Sequence, residues 1–245
     1  LNTGRFEIPG CFPGYGTTLG NALRRVLLSS LEGSAAKSIK ITGVSHEFST
    51  IPGVMEDVVQ IILNLKQVRF KLHGDEPVKV TLKSKGEGPV TAAAIKTPSN
   101  VEIVNPEAMI ATVSDKKTEL EIEIEIDKGL GYVPVEQRER DDEREIGVIA
   151  IDAIYTPVKR VNYEVENMRV GKRTDFDKIT LEVVTDGSIT PQEAYQKSVS
   201  ILVEQFQGLM LEAAEAAPAA EEKPKKVAKK AAKKKEEATE EAAAE

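Results

Sequence analysis

The sequence has no tryptophan, one cysteine, two histidines and only 4% aromatic residues in a chain of 245 residues. So few aromatic side chains exclude a surface built to stack nucleic-acid bases. The single cysteine, Cys11, excludes an internal disulfide and suits a reducing compartment, so we expect a cytoplasmic location. No apolar run approaches the roughly 18 residues that a membrane-spanning helix needs, so we expect no membrane partner.

Residues that carry catalysis or bind metals are equally sparse. His46, His73 and Cys11 are too few for a typical zinc site, and no close cluster of aspartates suits a two-metal catalytic site. Residues 137–145 include the carboxylates of Asp141 and Asp142, but interleaved arginines favour a solvated loop over a metal site. The sequence therefore predicts a protein with no catalytic residue, metal or cofactor of its own.

Residues 17–31, TTLGNALRRVLLSSL, predict the helix around which we expect the chain to be organised. Thr17 or Thr18 is expected to cap its first turn, and Gly33 to end its last turn. Three glycines open this region without the Lys-Ser/Thr of a phosphate-binding loop, so they favour a sharp start to the helix instead: Gly14, Gly16 and Gly20.

The predicted helix has two different faces. One is an apolar stripe at helical spacing, made of Leu19, Ala22, Leu23, Val26 and Leu27. The opposite face is mixed, and it holds Asn21, Arg24, Arg25 and Leu28, with Leu31 on the flank. Two such faces suit two neighbours, its own sheet and another chain, because arginine forks suit interfaces. The alternative, which the pattern alone favours, is an ordinary core helix with two solvated arginines.

Strands are predicted before and after a second amphipathic helix over residues 54–66. Between residues 68 and 155 apolar and polar residues alternate, and the run from Leu120 to Ile126 does so without a fault. This period of two is typical of antiparallel strands with one buried face, and it indicates an α+β protein. Further strands are predicted over residues 5–8, 38–42, 44–48, 146–155, 159–165 and 178–185.

A last helix is predicted over residues 191–211. Thr190 is placed to cap it, Pro191 occupies the first position, and Glu193 follows three residues after the cap. Its apolar residues follow the 4-3-4-3 spacing of a coiled-coil seam: Tyr195, Val199, Leu202, Phe206 and Leu209. The seam and the stripe of the first helix can cover each other within one chain. A two-fold dimer is favoured because residues off both stripes need cover too: Leu28, Leu31, Ile201 and Val203.

The composition changes at residues 212–245 to alanine, glutamate and lysine. This segment holds nine glutamates and eight lysines and has no aromatic residue, so we expect it to be disordered. The whole chain carries a net charge of −7, which argues against a protein that grips DNA by itself.

Five stretches of the sequence carry a family resemblance. They are GYGTTLGNALRRVLLSSL (14–31), GVMEDVVQIILNLK (53–66), GPVTAA (88–93), GYVP (131–134) and RTDFDKITLEVVTDGSITPQEA (173–194). Together they resemble the bacterial RNA polymerase alpha subunit, and the resemblance covers about residues 4–211. The Pro/Gly-rich residues 9–14 depart from the shorter acidic link of that family, so we assign them no function.

The resemblance implies a fold and a role. It implies a dimerising α/β domain from residues 1–32 and 157–211, with a mostly antiparallel β domain, residues 33–156, inserted between. It also implies a non-catalytic homodimer that scaffolds the beta and beta-prime subunits of a nucleotidyltransferase complex, joined by omega and sigma. A stand-alone homodimeric module without polymerase partners is the alternative. The family's C-terminal domain, which binds promoter DNA, has no counterpart here, so we expect only indirect contact with DNA.

The resemblance also implies site residues. Binding of the beta or beta-prime subunit is expected at Arg24, Arg25, Lys66, Arg173, Thr174 and Asp175. The dimer interface is expected on the first and last helices at Leu19, Leu23, Val26, Leu27, Leu31, Tyr195, Val199, Leu202, Phe206 and Leu209.

Overall fold

The computed structural model describes residues 2–138 and 147–215. Within them it has three α-helices: α1 (Tyr15–Ser29), α2 (Val58–Leu65) and α3 (Pro191–Glu215). The strands of the same residues are β1 (Thr3–Cys11), β2 (Glu32–Ile41), β3 (Phe70–Leu72), β4 (Val78–Lys85), β5 (Gly88–Thr91), β6 (Ile95–Lys96), β7 (Val101–Ile103), β8 (Met109–Val113), β9 (Glu119–Leu130), β10 (Tyr132–Val133), β11 (Val148–Ala150), β12 (Ala153–Ile154), β13 (Val158–Val170) and β14 (Arg173–Thr185). Residues 216–245 of the predicted tail (212–245) and residues 139–145 of the predicted charged loop (137–145) lie outside the described residues.

A three-stranded antiparallel sheet, the small sheet, joins the two ends of the chain. Its order is β1-β14-β13, and β13 and β14 form one long hairpin. Helix α1 packs on this sheet, and a core forms beneath it together with the start of α3. The members of that core are Leu27, Leu31, Val158, Val161, Leu181, Val183 and Ala194.

A seven-stranded sheet, the large sheet, is formed by the middle of the chain. Its path is β6-β4-β9-β2-β3-β7, with β11 added alongside β2, and every pair is antiparallel. In β9 the isoleucines point into the core and the glutamates point out, as the faultless alternation predicts. Helix α2 packs over a second, separate core here. The predicted α+β class with mostly antiparallel strands is confirmed.

The start of α1 differs from the prediction. The helix begins at Tyr15, and Gly14 precedes it in the left-handed conformation, with φ of 81° and no side-chain cap of its own. The orphan N–H of Gly16 is instead bound by Oδ2 of the buried Asp177, on β14, at 2.9 Å. The prediction that Thr17 or Thr18 caps the helix is therefore wrong. The acceptor is Asp177, which is 161 residues from Gly16 in the sequence.

Two glycines of α1 let the helix lie close to the sheet. A Cβ on Gly16 would meet Cγ1 of Val165 at 2.6 Å, and one on Gly20 would meet the Tyr163 ring at 2.6 Å. Both glycines are buried, so they serve helix–sheet packing. Of the three glycines predicted to give a sharp start to the helix, only Gly14 lies at that start.

Several predicted boundaries need correction. Helix α1 ends at Ser29, so Gly33 does not end it and lies inside β2. Residues 44–48, which were predicted to be a strand, form none, because the chain turns at Gly43 and no described neighbour pairs with them. The second helix begins at Val58 and not at 54, since Asp57 caps it by accepting from the N–H of Gln60 at 2.7 Å.

The start of the last helix is confirmed. The Thr190 N–H donates to the Glu193 carboxylate at 3.1 Å, and the Glu193 N–H donates to Oγ1 of Thr190 at 3.2 Å. This reciprocal pair is a capping box, and the backbone bond from Thr190 lowers the pKa of Glu193. The helix runs to Glu215, four residues beyond its predicted end.

Two chain crossings, at residues 30–33 and 155–157, join the small sheet to the large sheet. Tyr155 of the second crossing packs against Gly33 of the first crossing and against Gly129 of β9. Neither glycine position has room for a side chain beside Tyr155. A Cβ on Gly33 would lie 1.8 Å from the Tyr155 carbonyl oxygen, and one on Gly129 would lie 2.6 Å from its ring. A backbone carbonyl cannot rotate away as a side chain can, so the position of Gly33 is the more restricted.

Replacing Gly33 by alanine is expected to destabilise the protein by about 2 kcal/mol or more, because the crossing must separate to admit one methyl group. Gly208→Ala is the matched control. Apart from its chain neighbours and the backbone of its own helix, no described atom lies within 4 Å of its added methyl, and alanine is favoured over glycine in a helix by about 1 kcal/mol. Urea unfolding of the two variants and the parent measures both effects. A Gly33→Ala protein as stable as the parent would contradict the tight crossing.

Candidate assembly surfaces

The arginine pair of α1 lies on the exposed side of the helix. Helical spacing turns Leu23 and Leu27 toward the sheet, and this leaves Arg24 and Arg25 on the solvent side. Neither guanidinium has a hydrogen-bond or ion-pair partner among residues 2–138 and 147–215. An exposed pair of forked donors with unused hydrogen-bonding capacity is suited to the carboxylates and carbonyls of another protein.

Part of the predicted dimer interface is buried inside its own chain. Leu23, Leu27 and Leu31 are at most 6% exposed, and Leu27 and Leu31 belong to the core of the small sheet. The expectation that Leu31 needs cover from another chain is wrong, because the helix ends two residues earlier and helical spacing does not apply to it. Leu28 and Ile201 are partly buried against the same core.

The first turns of α3 also find cover within the chain. Tyr195 stacks on Phe6 of β1 with ring centroids 4.8 Å apart, and Val199 and Leu202 are half-buried. These three members of the predicted seam are therefore partly covered by their own chain.

The later turns of α3 expose large apolar side chains. Phe206 and Leu209 of the predicted seam are each 61% exposed, and Met210, which has no predicted role, is 74% exposed. Val203 is also exposed, as is Leu19 of α1. The residues of the predicted interface thus divide into members buried within their own chain and members that are exposed in it.

Lys66 follows the last turn of α2, on the side of the large sheet. Its Nζ lies 3.0 Å from Oδ2 of Asp152, and the other oxygen of that carboxylate accepts from the N–H of Val135 at 3.0 Å. The Val135 bond first, and then the Lys66 bond, hold the pKa of Asp152 below its usual range. Lys66 therefore has a partner in its own chain, although its side chain is still one-quarter exposed.

The segment Arg173, Thr174 and Asp175 opens β14 just after the exposed turn of the long hairpin. The Arg173 guanidinium binds the Asp175 carboxylate through two bonds, of 3.0 and 2.6 Å, and lowers the pKa of that carboxyl. The same guanidinium stacks on the Phe176 ring, 5.1 Å from its centre. This arrangement restricts the arginine side chain, and Thr174 beside it is exposed.

Two exposed aromatic residues near this segment have no counterpart in the predicted site. The Phe12 ring lies 5.9 Å from that of Phe176 and 6.4 Å from that of Tyr15, so it links the segment to the first turn of α1. Phe12 falls in the Pro/Gly-rich stretch to which no function was assigned. In the sequence, Phe12 is an aromatic residue in a loop of prolines and glycines. That pattern does not predict a specific role.

The structure brings some predicted residues together and keeps others apart. Arg24, Arg25 and the segment 173–175 belong to the small sheet and the helix on it, whereas Lys66 belongs to the large sheet. No group of three or more His, Cys, Asp or Glu side chains that could hold a metal ion occurs among the described residues. The acidic pair Asp141 and Asp142 lies outside them. None of the described helices is long and apolar enough to cross a membrane.

Comparison with known proteins identifies the family. Residues 39–156, which include most of the large sheet, match the family model described as the RNA polymerase Rpb3/RpoA insert domain. A DNA-directed RNA polymerase subunit alpha from Moorella thermoacetica is 49% identical over 223 residues, covering 90% of this chain and 71% of the relative. This chain belongs to the family of DNA-directed RNA polymerase alpha subunits.

Other alpha subunits are as similar. Those of Roseiflexus castenholzii and Geobacter metallireducens are each 53% identical, over 206 and 208 residues, covering 84% and 85% of this chain. The chain spans 63% and 61% of the length of these two alpha subunits. The family resemblance of the sequence is therefore confirmed, and the part of the alpha subunit concerned is the one that contains the insert domain.

Proposed function

We propose that this chain is a non-catalytic assembly subunit of a cytoplasmic DNA-dependent RNA polymerase. It acts as a homodimer that captures first the beta and then the beta-prime subunit, in a complex that also holds omega and sigma. The active site for nucleotidyl transfer lies on the large subunits, and DNA is contacted only through them. Residues 1–32 and 157–211 serve dimerisation, and residues 33–156 form the inserted β-rich domain.

The observation that carries this proposal is the exposed apolar surface of α3. Val203, Phe206, Leu209 and Met210 recur at spacings of three, three and one residues, so they cover a broad part of one helical surface. An apolar patch of this kind on a soluble chain marks a protein interface. In a family of multi-subunit enzymes, a partner that covers it is expected.

A second copy of the same chain fits this surface. In a two-fold interface each patch meets its own copy, so one exposed apolar strip is enough to cover itself. Leu19 of α1, the other helix of the predicted interface, also exposes an apolar side chain. Four helices, two from each chain, would then share one core.

The large subunits are assigned to polar surfaces outside this strip. Arg24 and Arg25 are exposed and have no partner within the described chain, and Arg173 is held rigid by Asp175 and Phe176. A pre-organised arginine loses less side-chain entropy when it binds, which favours its use at an interface. Lys66 is the weakest member of the set, because it already pairs with Asp152.

Co-purification tests the proposed function. The full chain, tagged and expressed in its own cells, is expected to bring down two very large proteins in equal amounts, together with RNA-synthesising activity on a DNA template. Salt washing followed by peptide mass spectrometry identifies them. A tagged chain that is recovered as a homodimer alone would favour the stand-alone module and remove the polymerase role.

Removing residues 216–245 is expected to leave dimerisation and capture of the large subunits unchanged. This segment contains no apolar side chain larger than that of Val227, so it offers no surface to bury in a core. Light scattering of the shortened chain, beside the full chain, measures the dimer, and pull-down measures capture. Loss of the dimer on truncation would show that the segment has a structural role.

A further inference from the structure

We infer that Arg69 is a positioning residue that ties the large sheet to the small sheet and fixes their relative orientation. The inference rests on the proposed function, because its consequence concerns how binding surfaces on the two sheets are presented together. Two chain crossings alone, at residues 30–33 and 155–157, leave a hinge between the sheets unless side chains close it. Arg69 supplies such a contact.

On the side of the large sheet, the backbone of Arg69 is held from two directions. Its N–H donates to Oδ1 of Asn105 at 2.7 Å, and its carbonyl accepts from the N–H of Val104 at 2.9 Å. The Asn105 amide also donates to the carbonyl of Gln67 at 3.0 Å. The residue is therefore anchored at the edge of the sheet beside β3 and β7, and its side chain starts from a fixed position.

On the side of the small sheet, the acceptor is equally fixed. Asp186 follows β14 directly, and its N–H donates to the Pro157 carbonyl at 2.9 Å, which ties it to the returning crossing. Oδ1 of Asp186 accepts from the N–H and the hydroxyl of Ser188, so the carboxylate cannot rotate freely. Its side chain is only 5% exposed.

Arg69 spans the gap between these two anchors. Its Nε lies 3.8 Å from Oδ2 of Asp186, and its Nη1 donates to the Ile154 carbonyl at 3.4 Å. The Arg69 side chain is 19% exposed, so this is a largely buried ion pair, for which loss of one partner leaves an uncompensated charge. Close packing supports it, since a Cβ on Gly187 would meet Val104 at 2.9 Å.

The consequence is a fixed presentation of two surfaces. Lys66 lies three residues before Arg69 on the side of the large sheet, and Arg25 lies on the helix that packs on the small sheet. A partner that contacts both residues binds with a smaller loss of conformational entropy when the two sheets are already held in the bound arrangement. If the sheets hinge, capture weakens in proportion to the fraction of chains in that arrangement.

Distance measurements between the sheets test this inference directly. In the full chain, Cys11 is replaced by serine, and spin labels are attached at Asn167→Cys on β13 and Lys116→Cys beside β9, both exposed positions. An excess of unlabelled chain suppresses signals between copies. The parent is expected to give one narrow distance distribution. Arg69→Met is expected to broaden it or add a second distance, and to weaken capture of the large subunits by about tenfold.

Two further variants make the result decisive. Asp186→Asn keeps the acceptor for Ser188 while removing the charge, so it is expected to broaden the distribution even if Arg69→Met does not fold. Arg160→Met is the matched control, because its exposed ion pair with Glu182 lies within the small sheet, and it is expected to change nothing. Distributions of Arg69→Met and Asp186→Asn as narrow as that of the parent overturn the inference. A parent that never captures large subunits overturns the proposed function, while the distances still report on Arg69.

Discussion

Replacing Phe206 by aspartate is expected to leave the protein monomeric at micromolar concentration and unable to capture the large subunits. The Phe206 side chain is 61% exposed in the single chain, so the proposed dimer is what buries it. Burying one large apolar side chain is worth about 1.5–3 kcal/mol. By two-fold symmetry the loss occurs twice, and two carboxylates are placed in the same core. Light scattering of the purified variant measures the mass.

The neighbouring change Gln207→Asp is the matched control for charge. Gln207 is exposed and polar, and it precedes Leu209 on the same helix, so its replacement adds the same negative charge beside the apolar strip. We expect this variant to remain a dimer. Because the Phe206 side chain is 61% exposed in the single chain, Phe206→Asp should keep the circular dichroism spectrum of the parent. A well-folded Phe206→Asp dimer would remove α3 from the two-fold interface.

Replacing Arg25 by alanine is expected to weaken capture of the beta subunit while the dimer survives. Truncating a hydrogen-bonded charge that becomes buried at an interface costs about 2–5 kcal/mol, mostly as faster dissociation. The Arg25 guanidinium has no partner among the described residues, so the variant should lose no stability of its own. Surface-binding kinetics with purified beta measure the dissociation rate directly.

Arg160→Ala provides the comparison for Arg25→Ala. Arg160 is an exposed arginine on β13, in the sheet on which α1 packs, and it forms an ion pair with Glu182 of the neighbouring strand. We expect it to bind beta as the parent does. Equal dissociation rates for the two variants would remove Arg25 from the proposed site and leave the dimer proposal intact.

Local patterns predicted the parts of the fold that depend on local interactions. The alternation from Leu120 to Ile126 matches the buried and exposed faces of β9, because a strand turns every second side chain to the same side. The Thr190–Glu193 capping box also forms as predicted, since its two partners are only three residues apart. Both features are decided by residues near each other in the sequence.

Features that depend on distant residues could not be predicted in this way. The cap of α1 comes from Asp177, which is 161 residues from the Gly16 N–H that it binds. The burial of Leu31 depends on where α1 ends, and the strand predicted over residues 44–48 has no partner strand among the described residues. The contact between Arg69 and Asp186 likewise joins residues that no local pattern relates.

The candidate site was predicted mainly through the family resemblance, and the structure adds a physical distinction among its residues. Leu23, Leu27 and Leu31 are core residues of one chain, whereas Phe206 and Leu209 are exposed and available to a second chain. Helical periodicity cannot separate these two groups, because it reports that a face is apolar and not which chain covers it.

The mass of the complex formed from purified components tests most directly whether a dimer of this chain recruits the large subunits. The full chain is mixed with purified beta and beta-prime subunits, and native mass spectrometry counts the copies in each species. We predict a dimer of this chain alone, then a species with two copies and one beta, and finally one with two copies, one beta and one beta-prime. A stable complex holding a single copy of this chain, or large subunits that leave its dimer unbound, would contradict the proposed function.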